Sequence, residues 1–428
     1  MRGSMHFIMS PIMPRSVVLH AADLHLDAPF EGVGRTPSHV AAAVRDASLG
    51  AWDALVELAI TRNVAAVLLA GGLCGGLERG VRAQVRLRDG LVRLTAAGIG
   101  VFIALGEGDP TDGLAAVGGW PPDVTVFGSE RPSSVVLERG GVRLATVHGV
   151  SAAPEQRDPT ARFARGDTAG PHLAVLHAGV AGRAADDASG VASRLADLRA
   201  VDMDYWALGR SRALDYVSRA HPWIVQPGTP QGRGLAAQEC GPKGAMLLTI
   251  EDGVVARVDF EPLDRVRCLC VDVLDAQDPA ALERTLGERA AVLRDEHPGR
   301  ALLLTARVDA AAAASRALRS PDRRLDLLAA LRRAAAAWEP FVWWVDVHAA
   351  PPAARQRAAV LAGDDLSAEV ERCRARLAGD PQQCARFLAR RFEPLRDAWT
   401  AELDAREADE LLDEAAAVAI DALREDGA

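Results

Sequence analysis

The stretch HAADLHLDAPF, residues 20–30, decides how this chain is read. It follows directly on the apolar run SVVL, so Ser16 to Ala22 is expected to form a buried strand that runs out into a loop bearing Asp23 and His25. Side chains alternate along an extended segment and residues two apart share a side, so Asp23 and His25 are expected to project together from the strand end, as a cation site requires. Further short apolar runs follow at Ala66 to Ala70 (AVLLA) and Val101 to Leu105, each preceded by a helical pattern. In the first of these helices Ser38 is placed to cap, and Trp52, Leu55, Val56, Ala59 and Ile60 fall on one face. The second is expected from about Glu78 to Ala97. Strands alternating with amphipathic helices from Ser16 to about Gly179 specify a layered α/β architecture, whose ligands gather in the loops beyond the strand ends.

Further along, Ser133 to Leu137, Arg143 to Val147, Leu173 to Leu176, Tyr205 to Gly209 and Trp223 to Gln226 read as shorter strands, and the first domain is expected to close near Pro262. Cys268 to Leu274, Ala301 to Val308 and Phe341 to Val347, with helical stretches at Ala280 to Leu293 and Asp322 to Ala337 between them, give a βαβαβ pattern for a small second domain. After Pro351-Pro352 the chain turns helical, with Asp380 as cap, Pro381 as first helical residue and a restart at Pro394. Leu395, Trp399 and Leu403, continued by Leu412, Ala416, Ala419 and Leu423, make an apolar stripe that needs a partner surface.

Composition narrows the function classes. A 49% hydrophobic and 25% charged chain is that of an ordinary soluble protein, and the formal net charge of -9 argues against wholesale coating by nucleic acid while leaving room for local basic patches. The six cysteines form no C-x-x-C pair, so a reduced, cytoplasmic interior is expected, and the strand-spaced Cys268 and Cys270 are assigned to the core. No apolar run approaches the roughly 18 to 20 residues of a membrane span. Residues 1–15 read as a disordered leader, with Met13 as an alternative start, because Ser10, Pro11 and Pro14 interrupt any signal-like apolar core.

Four later loops complete the pattern opened by Asp23 and His25. They are Ala70-Gly71-Gly72-Leu73-Cys74-Gly75, Gly106-Glu107-Gly108-Asp109, Leu176-His177-Ala178-Gly179-Val180 and Ala207-Leu208-Gly209-Arg210-Ser211-Arg212. In order and context the five resemble the blocks D-x-H, G-D-x-x-D, G-N-H-D, a lone His and G-H-x-H of the calcineurin-like metallophosphoesterase superfamily, and most closely its SbcD/YhaO type of DNA repair exonuclease subunit. The resemblance covers roughly residues 16 to 262 by motif and the remainder by domain order alone. It implies a four-layer metallophosphoesterase-like β-sandwich flanked by helices at 16–262, a small α+β capping, DNA-binding-like domain at 263–350, and a helical, partner-docking tail at 351–428.

The same resemblance shows which positions have departed. Two divalent ions close together need a set of oxygen and imidazole donors around them. Asp23, His25 and His177 match ligand positions, and Glu107 is a substitute oxygen. Gly72 stands where a bridging aspartate is expected, and Arg210 and Arg212 stand where imidazoles are expected. A guanidinium has no lone pair to donate. Gly108 replaces the histidine that would assist catalysis, and Asp109 is left as a remnant with nothing to orient. No catalytic residue and no stably bound metal is therefore expected, or at most a single Mn, Fe or Zn ion. His20, His148 and His221 match no ligand position and are assigned to structure.

Two readings follow. One is a catalytically degenerate SbcD-like subunit that binds DNA and acts as a scaffold for a coiled-coil ATPase of the SbcC or YhaN type, docked through the C-terminal helices. In it Arg210 and Arg212 bind a DNA phosphate or pair with Asp23, and a homodimer is the family's habit. The alternative is a weakly active metal-dependent DNA exonuclease or phosphodiesterase that uses a residual site on Asp23, His25, His177 and Glu107. A phosphatase for a small metabolite would need neither the second domain nor the tail.

Overall fold

The computed structural model describes residues 15–74, 80–109, 114–153, 158, 160–183, 192–309, 312–350, 360–363 and 365–378, and then 412, 413, 415, 416, 419, 420 and 423. Residues 1–14 of the leader, Gly75, Glu78, Pro351, Pro352, Asp380, Pro381, Pro394, Leu395, Trp399 and Leu403 lie outside the described residues. The chain divides into two compact units, residues 1–269 with 300–302, and residues 270–299 with 303–428.

In the first unit the chain runs β1 (Ser16–Ala21), α1 (Ser38–Thr61), β2 (Ala66–Ala70), α2 (Val81–Ala96), β3 (Gly100–Ala104) and β4 (Val124–Val126). Next come β5 (Ser133–Arg139), β6 (Val142–Val150), β7 (His172–Leu176), the short β8 (Gly179–Val180) and β9 (Ala192–Ser193), α3 (Leu195–Ala200), β10 (Tyr205–Leu208), β11 (Asp215–Ser218), β12 (Trp223–Gln226), β13 (Gly244–Glu251) and β14 (Val254–Pro262). Two six-stranded sheets result, ordered β14-β13-β1-β2-β3-β4 and β11-β12-β10-β7-β6-β5. Strands β1 to β4 are parallel, as are β6, β7, β10 and β12, and antiparallel neighbours extend each sheet.

Alternate side chains of the two sheets face one another. Val18, Leu68, Phe102 and Met246 from one meet Val147, Leu173, Tyr205 and Val225 from the other in a shared apolar layer. The opposite face of the first sheet is covered by α1 and α2 through Trp52, Leu55, Leu87 and Leu91, and that of the second by Phe163, Leu198 and Met203 around Trp206. The fold is thus the expected α/β sandwich of two sheets between helical layers. Close packing of α2 depends on Gly90, where an added Cβ would lie 2.4 Å from the Trp52 indole nitrogen, which instead donates to the Arg86 carbonyl at 3.0 Å.

Local differences from the sequence expectations have simple causes. Ser38 is the first helical residue and makes no capping bond, because Pro37 occupies the cap position. The hairpin β13–β14, turning at Asp252 and Gly253, was not among the expected strands, yet β13 pairs antiparallel with β1 from Ser16↔Ile250 to His20↔Met246 and completes the first sheet.

The chain continues through β15 (Val266–Val273) and β16 (Ala301–Val308), whose first residues are counted with the first unit, and through α4 (Pro279–Glu296), α5 (Pro321–Ala334) and β17 (Val342–Ala349), with β16 central in a three-stranded sheet. Asp278 caps α4 by accepting from the Ala281 amide at 2.7 Å, ahead of Pro279. Cys268 is buried but Cys270 is exposed: the buried phase of β15 shifts between them, so the pair does not share the core as its spacing suggested. A further helix, α6 (Leu366–Ala378), packs Leu377 on Leu412, and Arg374 binds both Glu371 (2.7 Å) and Asp413 (2.9 Å). Among the described residues no helix is long and apolar enough to cross a membrane.

Candidate functional site

All five loops singled out in the sequence converge beyond the ends of β1, β2, β3, β7 and β10. Asp23 and His25 lie past the end of β1 with left-handed backbone, φ 53° and 42°. Strand alternation is therefore not what brings them together. Their amides donate to the carbonyls of Gly71 and Gly72 at 2.8 Å each, so the loop after β1 is zipped along the loop after β2. Gly71 and Gly72 are themselves left-handed, and a Cβ at Gly72 would lie 2.7 Å from the Asp23 Cα and from its Oδ1. Glycine is the residue that tolerates both the φ and the contact.

Asp23 is buried and both its oxygens are engaged. Oδ1 lies 3.1 Å from His177 Nε2 and 3.8 Å from His25 Nε2, and Oδ2 accepts the Ser211 amide at 3.2 Å. The His177 ring is enclosed by three glycines: a Cβ at Gly71, Gly106 or Gly209 would fall within 2.7 Å of it. Its Nδ1 is buried without a hydrogen-bond partner. Burial works against the charge of both members of the Asp23–His177 pair. Their mutual hydrogen bond and attraction outweigh it, so Asp23 is held below, and His177 above, its ordinary range. His25 is pushed down to about 4, first by burial and then by the charge of Arg233.

Asp109 is far from idle. Its buried carboxylate accepts the amides of Leu73 (2.6 Å) and Cys74 (3.1 Å) on Oδ1 and of Gly106 (2.7 Å) on Oδ2, clasping the loops after β2 and β3 together. Burial raises its pKa against the pull of those donors. Gly108 has open space around it.

The two arginines part company. Arg210, at φ 59°, is largely covered and reaches Glu107, its Nη1 3.5 Å from Oε1. Arg212 is 47% exposed and its Nε stands 3.7 Å from Oε1 of the buried Glu239. Neither ion pair involves Asp23, whose contact with this loop is the Ser211 amide. Glu107, taken in the sequence for a spare oxygen donor, faces a guanidinium.

Residues that no motif announced complete the surroundings. Glu239 Oε2 accepts the Arg233 amide at 3.0 Å, and the Lys243 ammonium donates to the carbonyls of Arg212 (2.6 Å) and Gln238. All come from the 227–243 loop between β12 and β13, which carries no recognisable block; only Lys243, the chain's sole lysine, stood out. The other histidines sit elsewhere. His20 bonds the Tyr205 hydroxyl (2.8 Å) between the sheets, His148 joins Ser134 (2.7 Å) to His172 (2.8 Å), and His221 lies 3.5 Å from Asp204.

Among the described residues no group of three His, Cys, Asp or Glu side chains is arranged as a metal site. No family model matches the chain. It is 30% identical to the uncharacterized metallophosphoesterase YhaO of Bacillus subtilis over 330 residues, which is 76% of this chain and 79% of that protein. Solved structures similar to it include TT1561 of Thermus thermophilus, at 14% identity over 58% of this chain and 100% of that one with a TM-score of 0.34. A dimetal phosphatase from Danio rerio is 10% identical over 56% of this chain and 94% of that one, also with a TM-score of 0.34.

Proposed function

The chain belongs to the metallophosphoesterase family, and from that membership we propose that it serves as an SbcD-like, DNA-binding scaffold subunit whose pocket lacks a two-metal centre. The observation that carries this reading is the placing of Arg210 against Glu107 beside the Asp23–His177 pair, where a second dication would need donors. Gly72 offers no bridging carboxylate, and a side chain there would strike Asp23. The residues present do not fit a pair of ions: two dications there would repel each other with roughly four times the energy of unit charges at the same distance, with a fixed cation added.

In this reading the half-exposed Arg212 meets a DNA phosphate and Arg210 braces the wall through Glu107. The C-terminal helical segment around α6, with Leu377 on Leu412, is the proposed dock for an ATPase of SbcC or YhaN type, and a homodimer follows from the same resemblance. The test is metal content by mass spectrometry on the full chain together with hydrolysis of a generic phosphodiester in manganese and DNA binding in its absence. DNA binding with less than a tenth of an equivalent of metal and no turnover is expected. Two equivalents of metal with turnover would refute it.

One observation favours the alternative of a residual enzyme. The nitrogens of His177 and His25 stand 3.1 and 3.8 Å from the same Asp23 oxygen, and donors about 2.1 Å from one zinc are ~3.4 Å apart in a tetrahedron. Asp23, His25 and His177, which are not arranged as a metal site among the described residues, would have to shift to hold a single ion, which would supply Lewis acidity when bound. Near-stoichiometric metal, lost on His25→Ala together with turnover, would decide for it.

A further inference from the structure

The loop between β12 and β13 brings a second guanidinium to the edge of this pocket. Arg233 is anchored by its backbone at both ends: its amide donates to Glu239 Oε2 at 3.0 Å and its carbonyl accepts the Glu31 amide at 2.7 Å. Its side-chain Nε is buried and has no acceptor. The other oxygen of Glu239 faces Arg212 Nε at 3.7 Å, too long for a hydrogen bond. Glu239 therefore holds the Arg233 backbone with one oxygen and faces the Arg212 side chain with the other, which keeps the two arginines on neighbouring parts of the pocket edge. The nearby Lys243 ammonium brings a further positive charge and pins the Arg212 carbonyl at 2.6 Å, while Asp264, the acid facing it from β14's end, is already bound twice by Arg267 at 2.7 Å. Burial, with the like charge of Arg212 adding to it against the pull of Glu239, holds Arg233 below the usual arginine range.

Resting on the DNA-binding reading above, we infer that Arg212 and Arg233 form a metal-free cradle for a phosphate group, with Arg233 supplying its unused Nε–H and Arg212 its exposed fork. Paired guanidiniums suit this ligand: each fork takes two oxygens of an oxyanion, and a tetrahedral phosphate presents oxygens to both forks at once, where a carboxylate is used up by one. An anion between the two arginines also removes their mutual repulsion. The phosphate is either inorganic or part of a nucleic-acid backbone.

The experiment is calorimetric titration of the full chain with inorganic phosphate, in EDTA at constant ionic strength, repeated with a short single-stranded oligodeoxynucleotide present. Wild type binds, Arg212→Gln and Arg233→Gln each weaken binding at least tenfold, and Arg183→Gln, which removes the same charge from an exposed pair with Asp215, leaves it unchanged. Arg212 is half exposed, so its variant reads the cradle even if Arg233→Gln misfolds. No binding in EDTA, or wild-type affinity in a folded Arg233→Gln, would overturn the proposal. Competition by the oligonucleotide through the same two arginines assigns the ligand to the DNA backbone. Phosphate binding with no competition leaves the cradle standing as an inorganic phosphate site and removes the DNA reading.

Discussion

Replacing Asp109 by alanine removes the one acceptor that three buried amides share. Leu73, Cys74 and Gly106 donate to it at 2.6, 3.1 and 2.7 Å, and it is 2% exposed. A buried donor left without a partner costs about 1–3 kcal/mol. Some water will enter the space vacated by the carboxylate and recover part of this, so the lower end of the range applies and Asp109→Ala is expected to cost roughly 3–5 kcal/mol. That is a large share of the roughly 5–15 kcal/mol by which a domain of ordinary stability is held. Asp109→Asn keeps the oxygen that takes two of the three amides but presents an NH2 to the third, so roughly 1–2 kcal/mol is expected for it. Urea unfolding reads the totals, and amide hydrogen exchange reads the cause. Leu73, Cys74 and Gly106 should lose protection together in Asp109→Ala, while the amides of β7 keep theirs. A loss under about 1 kcal/mol, or exchange that leaves those three amides protected, would refute the idea that Asp109 clasps the loops.

Three other outcomes are expected. His20 is fully buried with its pKa pushed down to about 3 by that burial, so its folded state disfavours protonation. Above the unfolded pKa near 6.5 it has no effect; as pH falls below that value stability declines until about 3, by ~2 kcal/mol at pH 5, and a His20→Gln variant should show a correspondingly flatter acid limb in urea midpoints. Arg267→Met strands the fully buried Asp264 carboxylate, which it holds by two bonds of 2.7 Å; Arg300, 3.5 Å away, compensates in part, so ~3 kcal/mol of destabilisation is expected by the same assay. At Gly209 an added Cβ would lie 2.0 Å from the Ala70 carbonyl oxygen, so Gly209→Ala must separate β10's end from β2's, and a melting temperature lowered by several degrees is expected.

Most of the sandwich was readable because it obeys periodicity. Ala66–Ala70 and Trp223–Gln226, and outside the sandwich Ala301–Val308, fall where the apolar runs placed them, since runs this short and this apolar bury both faces. The β13–β14 hairpin was missed although Asp252-Gly253 between alternating residues is a turn signal, because much of β14 faces solvent and dilutes the pattern. In the site, each block gave the address of its loop but not the loop's conformation. Nothing in D-L-H announces left-handed residues at both 23 and 25, which arise from tertiary bonding to Gly71 and Gly72. Glu239 and Arg233 were invisible for a different reason. Their importance comes from a loop whose contacts to the pocket are all long-range, and a lone Glu or Arg in a loop is ordinarily solvated.

The glycines and the ligand positions of the blocks answer to different demands. Gly71, Gly106 and Gly209 crowd His177 so closely that any side chain there would collide with its ring, and Gly209 would also strike backbone. They are what lets four strand ends approach, whatever chemistry the pocket performs. Gly108, Arg210 and Arg212 occupy neighbouring positions in the same loops with no such steric demand on them, whereas Gly72 meets both demands, since a side chain there would strike Asp23. A sequence comparison that weighs glycines and apolar flanks therefore reports the fold of this chain faithfully, while charge and donor count must be read position by position. In those loops Arg210 meets Glu107 and Arg212 meets Glu239, while Arg233 reaches Glu239 through its backbone amide and not through its side chain.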